Sequence, residues 1–387
     1  ARAIAGPELA DKVGRVAANP DDVQALYDAA YELYEQGLHA VAAALLMRAN
    51  GLAPGQRPIV TELCACLEAL LRYGEAALVV DVSGLAESDP LCAYLSGFSW
   101  LMVGDRERPR ERLRQLAGAS EGPIPFVREA LAGMLARADA LAAVSPLDER
   151  ALSAWHLALN GTLLTHESPH GHEGPMHGRY AYVSDSPGLM REGLERLGAV
   201  LAGRLPSRVV AAPDRASRIL ARAASELFGR PLEPWGGAAP SDALVVIWSF
   251  ARLDDMEMAK ALREHAPGQV LFVHASDWLR PFGYAPDVTT FLHQVVTHPY
   301  LGGALRVDPA TQAVAPAEPD ERDDDTLARE ILAAPIGDPS ASSLEHLLSL
   351  RDAVERVTEP HGAGLFRRSG LRTRERAGSP VPSARFT

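Results

Sequence analysis

The sequence predicts a helical N-terminal region followed by an α/β domain with a parallel sheet. Two observations predict this fold class. Residues 23–117 repeat a pattern of large and small apolar residues about every 34 positions, which is typical of stacked helical hairpins. After Tyr180, short apolar strands alternate with amphipathic helices, which indicates a parallel sheet covered by helices. We therefore expect an α-solenoid over 1–164 and an α/β domain over 165–310.

The first repeat begins at Val23. Its large, small and turn positions are filled by Leu26, Ala29, Ala30, Leu33, Gly37, Ala42, Leu46, Ala49 and Pro54. The small residues let the two helices of a hairpin approach closely, and the large residues fill the remaining space. This spacing resembles the tetratricopeptide repeat, although Leu26 stands where tryptophan is commoner.

Two further periods follow the same pattern. The second is carried by Val60, Leu63, Cys64, Leu67, Ala76 and Val80, and the third by Tyr94, Gly97, Phe98, Leu101 and Ala117. The third period departs from the pattern at Arg110, where a small residue is expected. Helices at 126–145 and 147–164 would cap the stack. The resemblance implies a concave face that binds a protein or peptide partner, and a stack that only packs on the second domain is the alternative.

The α/β domain is predicted from five strands and three helices. The strands are expected at 179–184, 207–212, 231–235, 242–250 and 269–276, and the helices at 186–205, 213–229 and 254–266. Ser186 and Pro187 suit the start of the first helix, and Gly229 suits the end of the second. A partly helical segment is expected at 287–296.

The order of elements over 209–276 resembles a phosphoribosyltransferase core. In that family the central strand ends in two acidic residues and a Thr/Gly-rich loop, and the backbone N–H groups of the loop hold a 5-phosphate. Here the strand is followed by Trp248, Ser249, Phe250 and Ala251. Asp254 and Asp255 come only at the next helix start, where carboxylates favour the helix dipole. The resemblance thus implies a Rossmann-like, phosphoribosyltransferase-like domain without the transferase activity.

The stretch THESPHGHEGPMHGRY, residues 165–180, holds four histidines. They are His166, His170, His172 and His177. Four imidazoles can supply a zinc or iron shell, but Pro169 and Pro175 exclude a helix and the spacing matches no established metal signature. Three interpretations stay open, namely a solvated loop, a loop that binds substrate or partner, and a metal site.

Polar residues also follow several predicted strands. The carboxyl ends of parallel strands meet at one edge of the sheet, where ligands bind. We expect a small anionic ligand there, contacted by His166, His170, Arg179, Asp185, Asp214, Arg215, Ser249 and Arg252. His274 and Asp277 follow the same rule, and Asp214 also suits a helix cap. No GxSxG motif is present and no nucleophile can be named, so the catalytic residues stay unknown.

The remaining chain is expected to be extended in part. The sequence predicts an acidic solvated linker at 311–325 and helices at 326–360. It predicts a flexible basic tail, with six arginines and one glutamate, at 361–387.

Composition limits the classes of function. A net charge of −12 argues against nucleic acid and anionic membrane as partners. Nearly all basic residues are arginine, which fits a GC-rich bacterial genome, and only Lys12 and Lys260 could serve lysine chemistry. Three cysteines without framework spacing, and no long apolar run, predict a cytoplasmic protein. The sequence favours an interaction protein; the alternative is an enzyme with its site between 165–180 and the strand ends, with or without zinc or iron.

Overall fold

The computed structural model describes residues 6–170, 176–303, 305–307, 313–359, 362–363, 365–366 and 368–384. The chain divides into two compact units, Ala1–Leu135 and Ala136–Thr387. No helix in the described ranges combines the length and the apolar character that crossing a bilayer requires.

The first unit is helical. Its helices are α1 Pro7–Ala18, α2 Val23–Glu35, α3 His39–Leu52, α4 Arg57–Ala69, α5 Tyr73–Val82, α6 Pro90–Leu101, α7 Glu107–Gln115 and α8 Ile124–Leu141, the last of which runs into the second unit. From α1 to α7 each helix packs on the next, and α2, α4 and α6 also pack in series. Asp22 and Asp89 cap α2 and α6 through bonds from the backbone N–H groups of Ala25 and Cys92.

The interior of the helical unit consists of the residues that the repeat pattern selected. Leu26, Ala30, Leu46, Ala49, Val60, Leu63, Leu67, Ala76 and Val80 are all buried, as are Gly97, Phe98 and Leu101 of the third period. Cys64 and Cys66 are buried as well, and burial raises the pKa of both thiols. The predicted large and small positions are thereby confirmed for the first two periods and in part for the third, where Tyr94 is half-buried and Ala117 is exposed.

The second unit contains the sheet. Its strands are β1 Leu163–Leu164, β2 Tyr180–Ser184, β3 Arg208–Ala211, β4 Leu232–Pro234, β5 Ala243–Ile247, β6 Glu264–His265, β7 Val270–Asp277, β8 Val288–Thr297, β9 Leu305–Val307, β10 Val314–Pro316, β11 Thr358–Glu359, β12 Gly362–Ala363 and β13 Gly370–Leu371. The main sheet has the order β1-β8-β7-β5-β3-β4, β2 also pairs with β8, and every pair in it is parallel. The parallel α/β core is as predicted, and the direction of winding reverses between β3 and β5.

Within the described part of this unit, six α-helices belong wholly to it. They are α9 Leu152–Asn160, α10 Pro187–Val200, α11 Arg215–Phe228, α12 Met256–Ala261, α13 Asp324–Ala333 and α14 Leu344–Glu355. Ser186 and Asp214 cap α10 and α11 through their side-chain oxygens, and Gly229 ends α11 in the left-handed conformation at φ +61°. These boundaries match the caps that the sequence indicates.

The three largest departures from the predicted elements concern type or length. Residues 288–297 form the strand β8 rather than a helix, parallel to β7 on one side. The helix predicted at 254–266 ends at Ala261, because Glu264–His265 pair with Gly370–Leu371 in a small antiparallel sheet. The helix predicted at 147–164 is confined to α9, because Gly161 adopts φ +66° and the chain then enters β1.

The C-terminal segment, residues 368–384, is packed rather than flexible. Arg372 is buried and forms an ion pair of 2.7 Å with Asp287, while its other nitrogens donate to Leu262 O and Gln269 Oε1. Val381 is buried as well. The prediction of a free basic tail is wrong for these residues, because their arginines find carboxylate and carbonyl partners far away in the sequence.

The packing of α10 on the sheet depends on Gly193. A Cβ atom at this position would lie 2.5 Å from Thr290 Oγ1 and 3.1 Å from His274 Nδ1. We therefore expect Gly193→Val to lower the free energy of unfolding by about 1–3 kcal/mol, as overpacked cores do. Urea denaturation measures this, with Gly236→Val as control because nothing lies within 4 Å of a Cβ there. Equal midpoints for the two variants would contradict the close contact.

Candidate functional site

A cavity of about 330 Å³ opens at the carboxyl ends of β5 and β7. The segment after β5 lines it with Ser249, Phe250 and Ala251, and β7 contributes its last residue, Asp277. Because the carboxyl ends of parallel strands form the usual ligand-binding edge of such sheets, the cavity lies where the fold favours a site.

The turn after β7 shapes the wall of the cavity. Asp277 Oδ1 accepts bonds from the backbone N–H groups of Leu279 at 2.9 Å and Arg280 at 3.1 Å, which fixes the start of the turn. Further along, Phe282 stacks on Phe250 with ring centroids 4.2 Å apart and planes inclined by 14°. The cavity therefore combines an aromatic wall with a carboxylate and a guanidinium group.

The C-terminal segment completes the cavity with Glu375. Its Oε2 accepts a bond from the backbone N–H of Phe282 at 2.9 Å, and the side chain is buried. The pKa of Glu375 is raised to about 8, chiefly by burial; the Phe282 N–H lowers the pKa and Asp277 raises it. Glu375 is therefore protonated at neutral pH, and its carboxyl group can donate as well as accept.

Most residues predicted to bind a ligand are engaged within the protein. Arg179 is buried and donates to Ser379 Oγ at 2.8 Å and to the carbonyl of Val381 at 3.3 Å, and burial lowers its pKa to about 10. Arg252 is exposed and is not among the residues that line the cavity. Ser249 is the one member of the eight predicted ligand contacts that lines the cavity, and Asp277, which follows the same strand-end rule, lines it as well.

Asp214 and Arg215 have structural partners at the start of α11. Asp214 accepts from the Ser217 N–H as a cap, and Arg215 lies 3.1 Å from Asp324 Oδ1 while donating to Asp320 O. A solvated linker was expected at 311–325. Its acidic part, 320–325, instead forms ion pairs with arginines of α11. Residues 313–316 are exposed, as expected of a linker.

Asp185 lies at the centre of a buried cluster of polar side chains. Its Oδ2 accepts from Trp248 Nε1–H at 2.7 Å and lies 3.3 Å from His274 Nε2. Burial alone would raise the pKa of Asp185, but His274, Trp248 and His298 together lower it below its ordinary value. His274 Nδ1 lies 2.9 Å from Thr290 Oγ1. With its oxygens occupied in this way, Asp185 ties β5, β7 and β8 together rather than facing a ligand.

The three described histidines of 165–180 do not gather into one group. His166 is buried, with Nδ1 3.0 Å from Glu192 Oε2 and Nε2 2.8 Å from the hydroxyl of Tyr180. His170 is exposed beside Asp338 at 3.3 Å, and His177 has a left-handed backbone at φ 45°. His172 lies outside the described residues. Across the ranges that the structure describes, no three or more His, Cys, Asp or Glu side chains are placed to hold a metal ion.

The partners of His166 explain its burial. Glu192 also accepts from Arg196 Nε at 3.0 Å and from the Ser340 N–H at 2.9 Å. Burial would raise the pKa of Glu192, but His166, the Ser340 N–H and Arg196 lower it below its ordinary value. His166 is therefore a satisfied interior histidine that joins β1 to α10, and a metal would have to displace these partners.

Five residues that line the cavity escaped the sequence analysis, namely Arg280, Pro281, Phe282, Gly283 and Glu375. Glu375 carried a usable signal, since it is the single acid among the arginines of 361–387. The signal could not be interpreted, because the return of this segment to the sheet depends on partners near residues 262, 269 and 287.

The helical unit carries a second candidate surface, the tyrosine face of α2. It consists of Tyr27, Tyr31 and Tyr34, which the spacing i, i+4, i+7 places on one side of the helix. Tyr31 is 46% exposed, and the other two are half-buried. Burial raises the pKa of Tyr27, and Glu62 of α4 raises it further. An aromatic surface therefore lies beside the acidic side chains of α4.

Comparisons with known proteins identify no family for this chain. No protein-family model matches the sequence, and no curated protein matches it either. Among solved structures, the purine phosphoribosyltransferase from Pyrococcus horikoshii Ot3 aligns with 31% of this chain and 93% of that chain, at 14% identity and a TM-score of 0.24. A TM-score this low supports no assignment of fold family, activity or substrate.

Proposed function

We propose that this chain is a cytoplasmic interaction protein. Its helical unit, with repeats similar to tetratricopeptide repeats, binds a protein partner, and its α/β unit binds a small ligand without phosphoribosyl transfer. The tyrosine face of α2 is the observation that carries the proposal, since tyrosine is enriched at the centres of protein interfaces and Tyr31 is open to solvent.

Charge indicates the kind of partner. Burial raises the pKa of Glu62, and Glu35 raises it further. Burial is the largest cause of the raised pKa of Tyr34, and Glu62 and Glu35 raise it further. A cationic side chain from a partner would relieve this electrostatic repulsion and could lie over the tyrosine rings. The expected partner segment is therefore basic.

Site-specific photo-cross-linking tests this proposal. We expect a photoreactive phenylalanine analogue at Tyr31 to give a discrete adduct in cells, joined to a segment rich in lysine or arginine. The matched control places the same group at Val82, which is 86% exposed and lies at the end of α5. No adduct at position 31, or the same adduct at both positions, would contradict partner binding by the tyrosine face.

A further inference from the structure

We propose that the cavity at the carboxyl ends of β5 and β7 binds a zwitterionic amino acid with an apolar side chain. Its ammonium group would lie between Asp277 and Glu375, its carboxylate would meet Arg280, and its side chain would contact Phe250 and Phe282. The proposal rests on the ligand-binding role proposed for the α/β unit, and it is independent of partner binding by the helical unit.

The size and position of the cavity favour a small molecule. Its volume of about 330 Å³ is at the lower end of the range of ligand sites and exceeds that of a single amino acid. It lies at the edge where doubly wound sheets bind their ligands, one strand away from the reversal between β3 and β5.

The polar groups of the cavity match a zwitterion. Asp277 uses Oδ1 for both backbone N–H groups of the following turn, which leaves Oδ2 for an ammonium group. Glu375 is buried with one oxygen on the Phe282 N–H, so its second oxygen can meet the same ammonium group. Arg280 is exposed at the rim and forms no ion pair among the described residues, which suits a carboxylate.

The aromatic wall matches the rest of the ligand. Phe250 and Phe282 both line the cavity, and their rings stack on each other with centroids 4.2 Å apart. Apolar side chains contact such a surface favourably, and an ammonium group near a phenyl ring gains a further attraction. Neither a free phosphate nor a divalent metal would use this wall.

Binding of an ammonium group has a distinctive proton signature. The ionisable groups that line the cavity are Asp277 from β7, Arg280 from the next turn and Glu375 from the C-terminal segment, and the segment after β5 contributes none. Because burial raises the pKa of Glu375 to about 8, the carboxyl group is protonated at pH 7 in the free protein. A cation beside it favours the ionised form, so binding at pH 7 releases on the order of one proton.

Calorimetry of the full chain with the twenty natural amino acids tests the proposal. We expect at least one of leucine, isoleucine, valine, methionine or phenylalanine to bind, with proton release detected by comparing buffers of different ionisation enthalpy. Glu375→Gln should abolish the release, and Asp277→Asn should weaken binding about ten- to a hundredfold, since asparagine keeps the turn acceptor but loses the charge. Arg252→Ala is the control, because Arg252 is exposed and does not line the cavity.

Ligand analogues separate the two ends of the zwitterion. For leucine the matched probes are isoamylamine, which lacks the carboxylate, and 4-methylpentanoate, which lacks the ammonium group. The proposal predicts that both bind at least tenfold more weakly than leucine. It is overturned if no amino acid binds at 10 mM, if 4-methylpentanoate binds as well as leucine, or if Asp277→Asn and Arg252→Ala behave alike. Cross-linking at Tyr31 is unaffected by any of these results.

Discussion

Replacing Glu375 by glutamine is expected to stabilise the protein at pH 8 and to remove a loss of stability between pH 5 and 8. The pKa of Glu375 is raised from about 4.3 in an unfolded chain to about 8 in the folded one. Over this interval the folded state holds a proton that the unfolded state has released. The free energy of unfolding therefore falls as pH rises, by at most roughly 4 kcal/mol in total.

Urea denaturation of both proteins at pH 5, 6, 7 and 8 measures this effect. The stability contributed by the neutral carboxyl group is complete below pH 4 and lost by pH 8, so the two curves should diverge as pH rises. Glu257→Gln is the control, because Glu257 is exposed on α12 and pairs with Lys260 at the surface. If the two proteins lose stability in parallel between pH 5 and 8, Glu375 is not a buried neutral acid.

Replacing Arg372 by methionine is expected to cost about 3–5 kcal/mol of unfolding free energy. The side chains of Arg372 and Asp287 are 0% and 3% exposed, and their ion pair measures 2.7 Å. Burial would raise the pKa of Asp287, but Arg372 and His265 lower it below its ordinary value. Without Arg372 the carboxylate of Asp287 remains buried and uncompensated, and an uncompensated buried charge strongly lowers the free energy of unfolding.

Two comparisons distinguish this effect from general damage to the segment. Arg374→Met removes a charge two residues away at an exposed position and should change stability by less than about 0.5 kcal/mol. Adding Asp287→Asn to Arg372→Met should recover part of the loss, since the uncompensated charge is then gone. If Arg372→Met and Arg374→Met unfold at the same urea concentration, the segment is not anchored by this ion pair.

Local patterns determined much of the architecture. The spacing of small and large residues predicted the interior of the helical unit, from Leu26 to Val80. The caps Ser186 and Asp214 and the apolar runs of β5 and β7 predicted the alternation of the second unit. These features are encoded by neighbours in sequence, where helix ends and buried strands have distinct chemistry.

The strand β8 shows where periodicity misleads. Its apolar residues Val288, Phe291, Leu292 and Val295 follow the spacing i, i+3, i+4, i+7 of a helix. The β-branched residues Thr289 and Thr290 favour a strand, but pairing with β7 decides the outcome. A long-range contact of this kind overrides a local pattern and cannot be derived from it.

The position of the cavity agrees with the strand-end rule, whereas most of the residues that line it could not be predicted. The carboxyl edge of β5 and β7 does carry the cavity, and Ser249 and Asp277 were named from the sequence. Most of the cationic and acidic residues expected there form hydrogen bonds or ion pairs within the protein. Arg179 donates to the C-terminal segment, and Arg215 pairs with Asp324. Composition predicts an arginine-rich segment to be disordered, because the carboxylates and carbonyls that hold it lie elsewhere in the chain.

The affinity of the cross-linked partner segment for the helical unit tests the proposed function most directly. The segment, synthesised as a peptide, would be titrated into the intact protein and into Tyr31→Ala and Glu62→Arg variants, with Leu78→Ala as an exposed control on α5. We predict that Kd rises at least tenfold for both variants, remains unchanged for Leu78→Ala, and recovers for Glu62→Arg when the basic residues of the peptide become acidic. Equal affinities for all four proteins would contradict a partner site on the tyrosine face.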